Sequence, residues 1–232
     1  MKDLKEFLTL KSTDRVLDVG RGSGEWALGL ASECAYVTGL GITEDDTAEA
    51  SARAIQTGVA NVSFQWIGES GIAGGLEFPD GAFDWVTCRW ILSRSVQPET
   101  MLRELVRVLK TPGHLLLAER VGAADAAKRT ADARLARSLD DSHQQTYVPK
   151  EIGRLLENAG FSVEGDAVWS ESCQFERWVA AAGAPQGGVI ERTRRLLQEA
   201  AKKKSTDWQI TTRGKTIEFT HRFGVWVALK LG

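Results

Sequence analysis

The stretch from Val16 to Glu25, VLDVGRGSGE, carries the clearest chemical signal in the sequence. Gly20, Gly22 and Gly24 alternate directly after one apolar run and before another amphipathic one. Alternating glycines let the main chain approach a ligand that Cβ atoms would block. A helix starting at Glu25 would add free N–H groups beside the same ligand. The spacing chooses among ligands. A dinucleotide loop runs G-x-G-x-x-G, with its last glycine beside the pyrophosphate. Here Glu25 stands at that last position. A carboxylate repels a pyrophosphate and suits a cation, and Asp18 adds a second one at the end of the apolar run. The loop is therefore expected to hold a ligand with positive charge near the glycines.

Other residues could act on a second molecule. His143 lies in the polar connector Asp140 to Tyr147, where it could be a general base for an oxygen or nitrogen nucleophile, its ring oriented by Asp141. The plainer reading is a surface or helix-capping histidine. Arg94 could pair with a substrate carboxylate or simply be solvated. Trp90 could wall a substrate pocket or pack in the core. His114 and His221 read as a turn residue and an ordinary strand residue. Arg192, Arg194, Arg195 and Lys202 to Lys204 form a basic helix that reads as a solvated face, because no aromatic residues interleave it.

Composition narrows the classes. Lys+Arg is 29 and Asp+Glu is 31, a formal charge of -2, which argues against a nucleic-acid-binding surface. No apolar run is long enough to span a membrane, and Met1 to Leu10 lacks a signal-peptide core. Cys34, Cys88 and Cys173 are scattered without a CxxC, so no metal site and a reduced, cytoplasmic setting are expected. Hydrophobic residues at 43% permit a large core.

The elements that must position these groups alternate. Strand-like runs at Arg15–Val19, Ala35–Leu40, Val62–Ile67, Phe83–Arg89 and Gly113–Ala118 are separated by helical segments at Glu25–Cys34, Glu44–Thr57 and Pro98–Leu109. In the second helix Ala48, Ala52 and Ile55 share a face and are expected against the sheet. This pattern predicts an α/β, Rossmann-like, doubly wound, mostly parallel sheet. Beyond Arg120, helices are expected at Asp125–Leu139, Lys150–Ala159, Phe175–Ala182 and Val189–Lys204, and a strand at Phe161–Trp169. The tail Trp208–Leu231 reads as strands, the last one antiparallel in the main sheet. The organisation expected is a single domain over 1–232. Residues 1–120 would bind the cofactor, 121–205 would supply substrate-side helices and one strand, and 206–232 would close the sheet. The segment Phe175 to Lys204 would form a lid.

Three motifs in order carry a resemblance. They are Val16 to Gly24, Phe78 to Arg89 (FPDGAFDWVTCR) and Arg103 to His114 (RELVRVLKTPGH). With them the chain resembles class I S-adenosylmethionine-dependent methyltransferases of the ubiquinone and menaquinone methyltransferase kind. The resemblance implies S-adenosylmethionine as cofactor. Asp18, Gly20, Arg21, Gly22 and Gly24 would surround its methionine end, and Gly41 and Ile42 would lie by the ribose and adenine. Glu69 and Ser70 would face the adenine, and Cys88 and Arg89 would reach the methionine part through backbone groups. Trp90, Arg94 and His143 would then serve the acceptor.

The chain departs from that family's pattern in four places. Gly41 replaces the acid that accepts both ribose hydroxyls, and Glu44 or Asp45 would have to reach back. Each charge-assisted bond so lost is worth about 1.5–3 kcal/mol. Gly71 to Gly75 lengthens a loop, Ser93-Arg94 stands where relatives carry two histidines, and only Met1 to Asp14 precede the first strand. The expected function is methyl transfer to a small-molecule acceptor by a monomer or homodimer, with a non-catalytic binding protein on the same fold as the alternative.

Overall fold

The computed structural model describes residues 3–20, 23–41, 43–68, 71–181, 188–214 and 216–232. The apolar runs form parallel strands β1 (Arg15–Val19), β2 (Tyr36–Gly41), β3 (Val62–Trp66), β4 (Phe83–Arg89) and β5 (Leu109–Val121). The long strand β8 (Thr216–Lys230) joins β5 antiparallel, β6 (Phe161–Gln174) pairs antiparallel with β8 at the sheet edge, and β7 (Gln209–Arg213) pairs with β8. The order is β3-β2-β1-β4-β5-β8-β6. The chain reverses its winding between β1 and β4, and ligands bind at such a switch point. The Rossmann-like sheet with an antiparallel C-terminal strand is thus as expected.

Successive strand residues face opposite sides. Leu17, Val19, Val86, Cys88 and Leu117 face one side, under α3 (Pro98–Val108) and α5 (Pro149–Ala159). Met101, Leu102, Leu105 and Val108 fill that layer, each fully buried side chain contributing about 1.5–3 kcal/mol. Val16, Trp85, Leu116, Ala118 and Val225 face the other side, under α1 (Glu25–Leu30) and a short turn of 3-10 helix at Leu4–Phe7. A third cluster joins the tips of β7 and β8 to α4 (Ala126–Arg137), α6 (Phe175–Ala181) and α7 (Val189–Lys203), around Phe175, Trp178, Trp208 and Phe219. Asp132 on α4 ties this cluster down by accepting from the Thr206 hydroxyl and from Asp207 N. The segment after β6 therefore builds a core of its own.

Two local expectations are corrected. In α2 (Glu44–Thr57) the buried residues are Ala50 and Ala54, whereas Ala48 and Ala52 are exposed and Ile55 is 84% exposed. The glycine loop sets this face: the position a Cβ on Gly24 would take lies 2.8 Å from Ala50 Cβ, so the helix docks where that glycine leaves room. Helix α1 ends at Leu30 rather than at Cys34. Asn61 Nδ2 there donates to the Ala31 carbonyl at 2.7 Å, satisfying a group that the helix end leaves open.

Candidate active site

The ends of β1, β2 and β4 surround a cavity of about 470 Å³, within the usual range for ligand sites of roughly 300–1,000 Å³. Asp18, Gly20, Gly24, Gly39, Gly41 and Arg89 line it, with Trp26 on α1, Asp46, Thr47 and Ala50 on α2, and Phe64 on β3. Asp18 is buried at the end of β1. It accepts from the Thr87 hydroxyl at 2.7 Å and faces Arg89 Nη2 at 3.4 Å. The Trp26 ring nitrogen also reaches Thr87, at 3.3 Å, and the Arg89 guanidinium lies 4.8 Å from the Trp26 ring centre. The Arg89 Nε is buried with no hydrogen-bond partner. A buried donor left unpaired costs about 1–3 kcal/mol, so this side chain is short of an acceptor.

The glycines are needed for two reasons. Gly24 caps α1 with φ of 74°, a left-handed conformation open to glycine, and a Cβ there would lie 2.6 Å from the Phe64 ring. A Cβ on Gly20 would lie 3.1 Å from Arg89 Nη2.

The expected residues fall in different places. Asp18, Gly20, Gly24, Gly41 and Arg89 meet at the cavity. Arg21, Gly22, Ile42, Glu69 and Ser70 lie outside the described residues. Arg89 offers its side chain rather than only its backbone. The Cys88 side chain is wholly buried in the opposite layer, where burial pushes its thiol pKa up. Glu44 and Asp45 do not reach the cavity beside Gly41. They line a neighbouring cleft of about 590 Å³ with Trp66, Ile67 and Gly71. Asp46 and Thr47 take the place beside Gly41 instead.

Across β4 and β5, Trp90 has φ of 61°, unusual for a bulky residue and typical of functional sites. Its ring meets Phe223 on β8 edge-on, with centres 5.0 Å apart. Arg94 is neither solvated nor free for a ligand. Its Nε and Nη2 donate to Asp140 Oδ2 at 2.9 and 2.5 Å, and its Nη1 donates to the Trp90 carbonyl. His143 is only 4% exposed, and its Nε2 lies 2.9 Å from Thr146 Oγ1; no contact with Asp141 orients it. Burial, then the Arg120 and Arg94 charges, push its pKa down to about 4, so the ring is neutral at pH 7. His114 lies within β5, stacked on Trp85 at 4.7 Å.

The sequence reading missed Trp26, Asp46, Thr47 and Phe64 at the cavity, and Arg120 near His143. For Arg120 a signal existed: two charged residues, Glu119-Arg120, end the otherwise apolar run of β5. Charge at the carboxyl end of such a strand marks the ligand side of the sheet.

Residues 1–165 match the model of a family described as a methyltransferase domain. The chain belongs to that family. It is a methyltransferase, with S-adenosylmethionine as its cofactor. It is 30% identical over 175 residues to the uncharacterized methyltransferase YcgJ of Bacillus subtilis, covering 75% of this chain and 68% of that one. The crystal structure of YcgJ superposes with a TM-score of 0.84 at 26% identity, covering 98% of this chain and 96% of that one. The 27-O-demethylrifamycin SV methyltransferase of Amycolatopsis mediterranei is 29% identical over 187 residues, 79% of this chain and 66% of its own. A demethylmenaquinone methyltransferase of Listeria monocytogenes is 31% identical over 117 residues, 49% of this chain and 48% of its own. The match thus spans about half of that last relative.

The cavity suits this cofactor. Asp18 would supply negative charge for its cationic centres and the unpaired Arg89 Nε would offer a donor to its carboxylate, while the exposed Glu25 at the rim is already paired with Arg53. Asp46 and Thr47 offer oxygens for hydroxyls, and Leu40 and Phe64 give apolar surface.

Proposed function

We propose that the cavity between β1, β2 and α2 holds S-adenosylmethionine and that its methyl group passes to a small-molecule acceptor on the β4–β5 side. The observation that carries this is Arg89, a part-buried guanidinium beside Gly20 that pairs with Asp18 through Nη2 and leaves its buried Nε without an acceptor. Bound there, the cofactor supplies an electrophilic methyl group on a sulfonium. The chain supplies placement. Gly20 and Gly24 keep the loop backbone close, Arg89 takes the carboxylate, Asp18 faces the ammonium and sulfonium, and Asp46 with Thr47 serves the ribose in place of the acid missing at position 41. Holding two reactants in line accounts for most of the acceleration such a transfer needs. His143 offers the acceptor a neutral imidazole. A pKa far below the working pH makes a weak base, so its role is to orient or relay rather than to drive deprotonation. That relatives are named for demethylrifamycin SV and demethylmenaquinone supports a small-molecule acceptor.

Calorimetry with S-adenosylhomocysteine tests the placement. Arg89→Met should weaken binding at least tenfold while the protein stays folded. Unchanged affinity would remove the carboxylate from Arg89 and with it this reading.

A further inference from the structure

The face that carries Asp18 and Arg89 continues across the sheet to a second buried cation. The register pairs Arg89 with Ala118 on β5, and Arg120 follows on the same face, opposite Phe223 on β8. Phe223 in turn sits opposite Trp169 on β6. Arg120 is half-buried, with its Nε wholly enclosed by protein. Its guanidinium lies 5.9 Å from the Trp178 ring centre and 5.6 Å from that of Trp208. Among the described residues no carboxylate pairs with it, and its Nε is buried without a partner. The neighbouring Glu119 spends its oxygens on Ser93 and on Arg120 N. The adjacent His221 is buried too, and its Nδ1 likewise lacks a partner. A buried arginine is ordinarily paired, because an isolated charge in such a site is costly. Trp90, Phe223 and Trp169 stand in a row beside it, with ring centres 5.0 and 6.0 Å apart.

We propose that Arg120 anchors the acidic group of a flat aromatic acceptor, whose rings lie against Trp90, Phe223 and Trp169. The planar guanidinium fork matches a carboxylate, and tryptophan faces match an aromatic plane. This rests on the proposed cofactor placement, because the row begins at Trp90, the residue after Arg89. The alternative is that Arg120 merely cross-links Trp178 and Trp208 by cation–π contact.

The test is calorimetry on the full chain saturated with S-adenosylhomocysteine, using 2-naphthoate and its neutral amide as probes. The wild type should bind the acid at least tenfold more tightly than the amide. Arg120→Met should abolish that preference, leave S-adenosylhomocysteine affinity unchanged, and melt no lower than the wild type without ligand, because it deletes an unpaired buried charge. Equal affinity of the wild type for acid and amide would overturn the proposal, and this comparison stands even if the variant fails to fold. A preference that survives Arg120→Met, or a variant that melts lower yet keeps it, would also overturn it and favour the cross-link. Failure of the wild type to bind S-adenosylhomocysteine would instead sink the cofactor placement.

Discussion

Placing an acid at position 41 tests how the site replaces its missing ribose ligand. A Cβ on Gly41 would lie 2.1 Å from Thr47 Oγ1, 3.2 Å from Thr47 Cβ and 3.3 Å from the Thr43 carbonyl. Thr47 already occupies the space, held by its hydroxyl donating to the Thr43 carbonyl at 2.9 Å. Gly41→Asp must turn Thr47 away and break that bond. Overpacking of this kind costs about 1–3 kcal/mol. For a chain of this size that is a fall in Tm of roughly 2–12 °C. The restored acid should therefore not tighten cofactor binding by itself. Adding Thr47→Ala removes the hydroxyl and leaves the milder contacts at 3.2 and 3.3 Å. The double variant should recover most of the Tm and bind S-adenosylhomocysteine about tenfold or more tightly than Gly41→Asp alone, a gain of at least about 1.4 kcal/mol. Scanning calorimetry and titration of the four proteins of the cycle give both numbers. If Gly41→Asp alone tightens binding without lowering Tm, Thr47 does not fill the position and the reasoning fails.

Two further outcomes are expected. Burial lowers the His143 pKa to about 4 and the His221 pKa to about 3, from an ordinary 6.5, so between those values the unfolded chain binds more protons. Stability should hold above pH 6.5 and fall as pH drops through 6 toward 4, by several kcal/mol in order of magnitude. His143→Gln with His221→Phe should flatten Tm against pH over that window, and an unchanged profile would show that other groups govern it. In hydrogen exchange, amides of α6 and α7 should exchange faster than those of Leu115–Ala118 in the free protein and gain protection when S-adenosylhomocysteine and an acceptor are bound. Equal strong protection in both states would mark the segment as a rigid appendage.

The sheet was legible because its strands are short apolar runs separated by helical periods, and the glycine loop because alternating glycines have few structural uses. The rest depended on contacts between distant segments. The alanines of α2 gave two candidate faces, and only the docking of Ala50 beside Gly24 chooses between them. That rotation also decides that Asp46, not Glu44 or Asp45, meets the cavity. Arg94 looked available because its partner Asp140 lies 46 residues away. Arg120 was readable as charge at a strand end, but its aromatic surroundings come from β6, β8 and the segment before β7, whose register no local pattern specifies.

The most direct test is a crystal structure with S-adenosylhomocysteine bound. Its density should lie between Asp18, Gly39, Asp46 and Arg89, with its carboxylate on the Arg89 guanidinium and its sulfur on the side of Trp90 and Arg120. Density in the cleft of Glu44, Asp45 and Trp66, or a carboxylate away from Arg89, would contradict the proposed site.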